Sequence, residues 1–135
     1  MFKVAVIALM KENKILLQLR DNKLDINYPG FWSLIGGQIE KNETPLSGLE
    51  REIKEEITAP VYNIDFVSEI LHNQNRYCPK HVIYLFKGNI SKDLEDINIL
   101  EGQKLDLFSY EEFIKLRFPL QVKKFIIKNK NKFFN

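Results

Sequence analysis

The sequence predicts an α+β or α/β/α architecture, strands and a few helices packed in layers around one core. Three observations predict it. Runs rich in apolar, β-branched and aromatic residues, chiefly Phe2 to Met10, Ile15 to Arg20 and His81 to Lys87, have the length and composition of strands. A segment opened by Thr44 and Pro45 carries helix-start signals and helical periodicity. With 44 % hydrophobic residues, a chain of 135 suffices for one globular domain over residues 1–135, and a second domain is not expected.

The elements follow in order. Phe2 to Met10 and Ile15 to Arg20 read as strands joined by a Lys-Glu-Asn-Lys turn. A polar loop covers Asp21 to Gly30, and short strands are predicted around Trp32 to Ile35 and Gln38 to Glu40. Thr44 is a good N-cap and Pro45 a good first helical residue, so a helix runs from here to about Ile57, before Thr58 and Pro60. Val61 to Leu71 and His81 to Lys87 form a hairpin across the connection Asn73 to Lys80. Ser109 and Glu112 make a capping box for a short helix, and Pro119 opens a last helix to about Lys128. Such a mixture is a layered α+β arrangement.

The helix after Thr44 holds the chemistry. At roughly 100° per residue, Glu52, Glu55 and Glu56 share an arc of about 100°. Leu46, Leu49, Ile53 and Ile57 form the adjacent apolar stripe, which places the acids at the rim of a buried face. Two carboxylates about 6 Å apart repel by roughly 3 kcal/mol at an effective dielectric near 20, and a cation reverses that sign. Oxygen-only ligands favour Mg²⁺ or Mn²⁺ over zinc. Gly48, one turn before Glu52, is expected to leave room for a bound ligand. The competing reading of the acids alone is a solvated helix face.

Gly37 is followed by five residues and Glu43, and seven more lead to Arg51-Glu52-Ile53-Lys54-Glu55-Glu56. In these residues the chain resembles the Nudix hydrolases, whose signature is G-x5-E-x7-R-E-U-x-E-E-x-G-U with U aliphatic. Thr58 stands where the signature has glycine, so a different helix exit is expected. The resemblance implies a mixed β-sheet between helices over nearly the whole chain, and hydrolysis of a diphosphate linkage in a nucleoside diphosphate joined to another moiety. It also implies that Glu56 and Glu52 are the principal ligands of divalent cations, with Glu55 beside them and the Gly37 carbonyl a further ligand. Arg51 would pair with Glu43 to hold loop to helix. Glu52 and Glu101 both stand as the general base, and Arg20 as a phosphate contact. The substrate class implied first is a nucleoside triphosphate, oxidised forms included, cleaved to the monophosphate and pyrophosphate. A nucleotide-sensing module that binds without cleaving is the alternative, and isomerase chemistry on an isoprenoid diphosphate is remote.

The formal charge of +2 gives no broad affinity for a nucleic-acid polymer, so free nucleotides or nucleotide conjugates are the expected partners. A single cysteine, Cys78, excludes an internal disulfide and fits a reducing, cytoplasmic setting. Val4 to Met10 is too short to span a bilayer, and no membrane partner is expected. Phe31, Trp32 and Tyr77 read as core aromatics, and His72, Arg76, Lys80 and His81 as surface residues. Monomer and homodimer both stay open.

Overall fold

The computed structural model describes residues 1–135. The first apolar run forms β1 (Phe2–Lys11), which turns through Glu12 and Asn13 into β2 (Lys14–Leu19). Both turn residues have positive φ, 49° and 62°, the geometry a two-residue hairpin needs to match the twist of its strands. There follow β3 (Trp32–Ser33), β4 (Ile35–Gln38), α1 (Pro45–Glu56), β5 (Tyr62–His72), β6 (His81–Asn89), β7 (Lys104–Phe108), α2 (Tyr110–Phe113) and α3 (Leu120–Lys128). Short 3-10 turns occupy Leu94–Asp96 and Lys130–Lys132.

The strands form one mixed sheet. β1 runs parallel to β6 from Phe2↔His81 to Met10↔Asn89, and β6 pairs antiparallel with β5 as the expected hairpin. The opposite edge of β1 is divided between two partners. β2 takes Leu9 to Lys11, while β4 takes Val4 to Ile7. Past Leu16, β2 pairs instead with β3 through Gln18 and Leu19, and carries β7 along its other edge. The two strands of the first hairpin therefore diverge, and a cleft opens between β4 and β2.

Strand alternation sends residues to two cores. Ala5, Ile7, Leu9 and Leu16 pack on one face with Leu49 and Ile53 of α1. On the other, Ala8, Met10, Ile15 and Leu17 meet Phe113, Val122 and Ile126 of α2 and α3. The sheet is thus sandwiched between helices, the α+β arrangement the sequence predicts.

Some expectations are corrected. The second of the short strands is Ile35–Gln38 rather than Gln38 to Glu40, because Gly36 and Gly37 pair with Val6 and Ala5 of β1. β7 is a strand beyond those the sequence predicts, and its Leu105 and Leu107 pack against the α1-side core. Leu46 lies outside the buried stripe at 44 % exposure, and Gly48 takes the inward place in that turn. No helix is long and apolar enough to cross a membrane.

Candidate active site

Local sequence sets α1 in place. Thr44 Oγ1 accepts from the Ser47 amide at 3.0 Å, Ser47 Oγ accepts from the Thr44 amide at 2.9 Å, and Pro45 supplies the first helical residue. With Leu49 and Ile53 docked on the sheet, Glu52 and Glu56 are carried to the edge of the cleft, one turn apart. The facing strand makes room for them with glycines. At Gly36, with φ +146°, a Cβ would lie 2.1 Å from the Ala5 carbonyl oxygen. At Gly37 a Cβ would lie 2.5 Å from the Glu52 carboxyl carbon, so the bare backbone is what lets that acid lie against β4.

The helix exit recruits the third acid. Ile57 leaves α1 in an extended conformation (φ −139°, ψ 160°) and forms an isolated antiparallel bridge with Ile99. Thr58 Oγ1 accepts from the Asn98 amide at 2.9 Å, and the Leu100 amide donates to the Glu56 carbonyl at 2.9 Å. A β-branched threonine suits this extended exit, whereas a glycine would suit a left-handed one. The pairing delivers Glu101, and carboxylate oxygens of Glu52, Glu56 and Glu101 all lie within 4.8 Å of one another.

Electrostatics distinguishes the three. Glu56 is 5 % exposed, and burial pushes its carboxyl up to about 8, with the Gly36 amide at 2.8 Å opposing the shift and Glu52 and Glu101 adding to it. Glu52 is raised too, by burial, against the pull of Arg51. Glu101 is exposed. A group of three convergent oxygen ligands, one of them pushed toward its protonated form by burial, fits a hard divalent cation and offers no nitrogen or sulfur for a softer one.

Arg51 organises the approach. Its Nε donates to Glu43 Oε2 at 2.7 Å and its Nη2 to Glu43 Oε1 at 3.0 Å and to the Gln38 carbonyl at 2.9 Å. Nη1 reaches Glu52 at 2.9 Å and Glu55 at 3.2 Å. The guanidinium holds Glu43 well below the usual range, at about 2, with the Glu40 amide assisting. Glu55 turns outward to Arg51, half-exposed, and is not brought into the group of three. Gly48 holds no space for a ligand: a Cβ there would meet Glu43 Oε1 at 3.2 Å and Ile39 at 3.5 Å.

A polar cleft of about 330 Å³ surrounds the acids, walled by Arg20, Gly37 and Gln18 among others. Arg20 Nε donates to the Asn27 carbonyl at 2.9 Å, and burial lowers its affinity for its proton, which leaves a partly desolvated cation facing Glu56 and Glu101. Gln18 is a site-lining residue that no motif in the sequence marks. Its signal was a polar residue in phase with inward-facing Leu16 on an otherwise apolar strand.

Arg20, Gly36 and Gly37 also border a second, mostly apolar cavity of about 130 Å³ on the α3 side. Here His72 and His81 are corrected from surface residues to buried ones, because the β5–β6 register pairs them directly. Their rings stack at 4.5 Å, and burial lowers the pKa of both, keeping them neutral. The Tyr28 hydroxyl hydrogen-bonds His72 Nε2 and accepts from Asn75 Nδ2 at 2.9 Å. Cys78 is buried beside His81, and Phe31 is buried with it in the same small cluster. Arg76 and Lys80 are exposed. Trp32 packs edge-on against Phe108 at 4.8 Å.

Comparison with known proteins gives a consistent result. A family model described as the NUDIX domain matches residues 1–128. A curated protein of Proteus vulgaris named 8-oxo-dGTP diphosphatase is 35 % identical over 63 residues, which is 47 % of this chain. The chain thus spans about half the length of that relative, 54 %. The crystal structure of a MutT protein from Methanosarcina mazei superposes with a TM-score of 0.79 at 19 % identity, covering 97 % of this chain and 94 % of that one. The NUDIX domain of Shewanella oneidensis NrtR, crystallised with ADP ribose, gives 0.74 at 16 %, covering 97 % and 86 %.

Proposed function

The chain belongs to the Nudix family, and on that premise we propose that it is a divalent-cation-dependent pyrophosphohydrolase acting on nucleotides or nucleotide conjugates. The observation that carries this reading is the convergence of Glu52, Glu56 and Glu101 within 4.8 Å beside a cationic Arg20. Family members generally use divalent metal ions, and the all-oxygen set here favours Mg²⁺, with Mn²⁺ as a substitute. When bound, the ion neutralises phosphate charge and lowers the pKa of water.

The side chains divide the remaining work. Glu52 and Glu56 hold the cation, with the Gly37 carbonyl as a further oxygen, and Glu55 supports them from outside through Arg51. Arg20, its guanidinium fixed by Asn27, takes phosphate oxygens, a task its planar donors suit. Of the two candidate bases, Glu101 is the one left free to meet a water in the cleft. Glu52 already accepts a hydrogen bond from Arg51 Nη1 at 2.9 Å, whereas Glu101 is exposed and faces the cleft. Arg51 and Glu43 position these groups and take no part in bond cleavage.

A nucleoside triphosphate, oxidised forms included, is the first substrate to test, cleaved to a nucleoside monophosphate and pyrophosphate. The 8-oxo-dGTP diphosphatase of Proteus vulgaris supports that choice. The adjacent apolar cavity of about 130 Å³ would take the uncharged end of such a molecule. The test is a panel of nucleoside triphosphates, their 8-oxo forms, dinucleotides and nucleotide sugars with Mg²⁺ or Mn²⁺, scored by product. Release of pyrophosphate with monophosphate supports the reading. Tight binding of a member of the panel with no product under either cation would establish a binding module instead.

A further inference from the structure

Gln18 is 4 % exposed, and no protein donor reaches its Oε1. It lies on β2 directly opposite Ser33 of β3 and Leu105 of β7, and it lines the same cleft as Glu52, Glu56 and Glu101. Its neighbour in phase, Leu16, is wholly buried in the α1-side core, so an apolar side chain would be the ordinary occupant of this position. A buried amide oxygen left without a donor works against folding, and such groups in native proteins call for a partner that the protein itself does not supply.

The chain has shaped the opposite wall around this amide. Gly102, at φ +84°, follows Glu101, and a Cβ on it would lie 2.9 Å from Gln18 Nε2 and 3.0 Å from Gln18 Cγ. The Gln103 amide donates to the Leu19 carbonyl at 2.9 Å and Gln103 Nε2 to the Arg20 carbonyl at 2.7 Å, which ties the Glu101 turn to the end of β2 just beyond Gln18. The glutamine amide is therefore clamped under the turn that carries one of the three acids, with its oxygen left over.

What fits that oxygen is a donor that arrives with the ligand. With a cation bound the three carboxylates are ionised and offer acceptors only, and Arg20, whose Nε goes to the Asn27 carbonyl, makes no hydrogen bond to Gln18. Mg²⁺ and Mn²⁺ enter such sites with part of their hydration shell, and those waters are donors. We infer that Gln18 is a positioning residue of the cation site: its Oε1 accepts a hydrogen bond from a water carried by the ion that Glu52 and Glu56 hold beside Glu101. A neutral acceptor orients that water without adding a fourth negative charge to the cluster. The inference rests on the proposed cation-dependent activity and adds a residue to it.

The experiment compares wild type with Gln18→Met, Gln18→Leu and Gln18→Glu in three measurements. These are thermal melting with chelator, Mn²⁺ affinity from the electron paramagnetic resonance signal of the free ion, and kcat and KM for the nucleotide. Losing one hydrogen bond of this kind corresponds to roughly fivefold to tenfold in binding. The expected result is that Met and Leu melt at or above the wild-type temperature without metal, bind Mn²⁺ at least about fivefold more weakly and lose kcat with KM little changed. Gln18→Glu, which keeps an acceptor oxygen, restores Mn²⁺ binding. Equal Mn²⁺ affinity in Met and wild type overturns the inference, as does a lower metal-free melting temperature as the sole change, which would make Gln18 a support for the Glu101 turn. Wild type that neither binds Mn²⁺ nor turns over any nucleotide overturns the proposed function itself and the role of Gln18 with it, a result distinct from wild type that does both while Met matches it.

Discussion

The carboxylate of Glu56 accepts the Gly36 amide hydrogen at 2.8 Å, and this is the protein hydrogen bond that its buried side chain receives. A single neutral donor does not offset the loss of hydration, which is why burial drives the carboxyl up to about 8. The metal-free protein thus holds at the edge of its cleft an acid that a bound cation would help to ionise at neutral pH.

That relationship has a pH signature. The folded value of Glu56 lies above the ordinary 4.5, so the folded state binds the extra proton and the Glu56 contribution to stability is complete below about pH 4.5 and lost as pH rises through about 8. Metal-free wild type should therefore lose melting temperature relative to Glu56→Gln across this window. Mg²⁺ should restore wild type and leave the variant unchanged. Turnover by Glu56→Gln should fall by at least roughly 10²-fold with the fold intact, since an acid of the charge-stabilising group is gone. Melting curves at several pH values with chelator or Mg²⁺ check the first part, and a pyrophosphate-release assay the second. A variant with the wild-type pH slope would show that Glu56 is not the group responsible.

Two adjacent glycines should fail in different ways when changed to alanine. At Gly36 the new Cβ would meet backbone, the Ala5 carbonyl oxygen at 2.1 Å, with φ at +146°, and neither strand can yield without unpairing β1 from β4. At Gly37 it would meet the end of the Glu52 side chain, at 2.5 Å, which can swing away. Gly36→Ala should cost most of the soluble folded protein. Gly37→Ala should melt within a few degrees of wild type and lose cation binding and turnover, because Glu52 no longer points at Glu56 and Glu101. Circular dichroism separates the two variants, and Mn²⁺ titration reads the second.

Arg51→Lys keeps a charge but cannot reproduce the fork that grips Glu43, Gln38, Glu52 and Glu55. The loop carrying Glu43 should loosen from α1, and a displacement of Glu52 by even an ångström costs on the order of 10²-fold in rate. The expected pattern is a large fall in kcat with little change in nucleotide affinity. The same pair sets an acid limit. Glu43 is held near 2 by Arg51, so its contribution to stability is present above about 4.5 and lost as pH falls toward 2. Acid unfolding of Arg51→Lys should begin at higher pH than that of wild type.

The parts of this architecture that were legible in the sequence are those with local causes. Thr44, Pro45 and the acid spacing specify α1 within a dozen residues, and the Glu12-Asn13 turn specifies the first hairpin. What was not legible depends on pairing between distant segments. His72 and His81 look like isolated loop-side histidines until the β5–β6 register sets them face to face. β7 is short, and its apolar residues pack only because the turn after Glu101 lays it along β2. The burial of Gln18 follows from the inward phase of β2, which depends on its pairing with distant segments, and the helical arc that places Glu55 beside Glu52 and Glu56 does not reveal that Arg51 draws it outward.

Thr58 departs from the family pattern, and its hydroxyl should have a measurable duty. Its Oγ1 accepts the Asn98 amide at 2.9 Å, alongside the backbone bonds from Thr58 to Asn98 at 3.3 Å and from Leu100 to Glu56 at 2.9 Å. These bonds are the means by which the end of α1 holds the segment that presents Glu101. Thr58→Val preserves the β-branch and the extended exit but removes the acceptor, a loss of about 1 kcal/mol for one hydrogen bond. The Asn98 and Leu100 amides should then exchange with solvent roughly fivefold faster, which is that energy expressed as a local opening equilibrium. If Glu101 takes the proton, kcat should drop severalfold in parallel, while Mn²⁺ affinity, anchored by Glu52 and Glu56, changes less. Hydrogen exchange read by mass spectrometry or NMR, set beside kcat, decides it: faster exchange with unchanged kcat would move the base from Glu101 to Glu52.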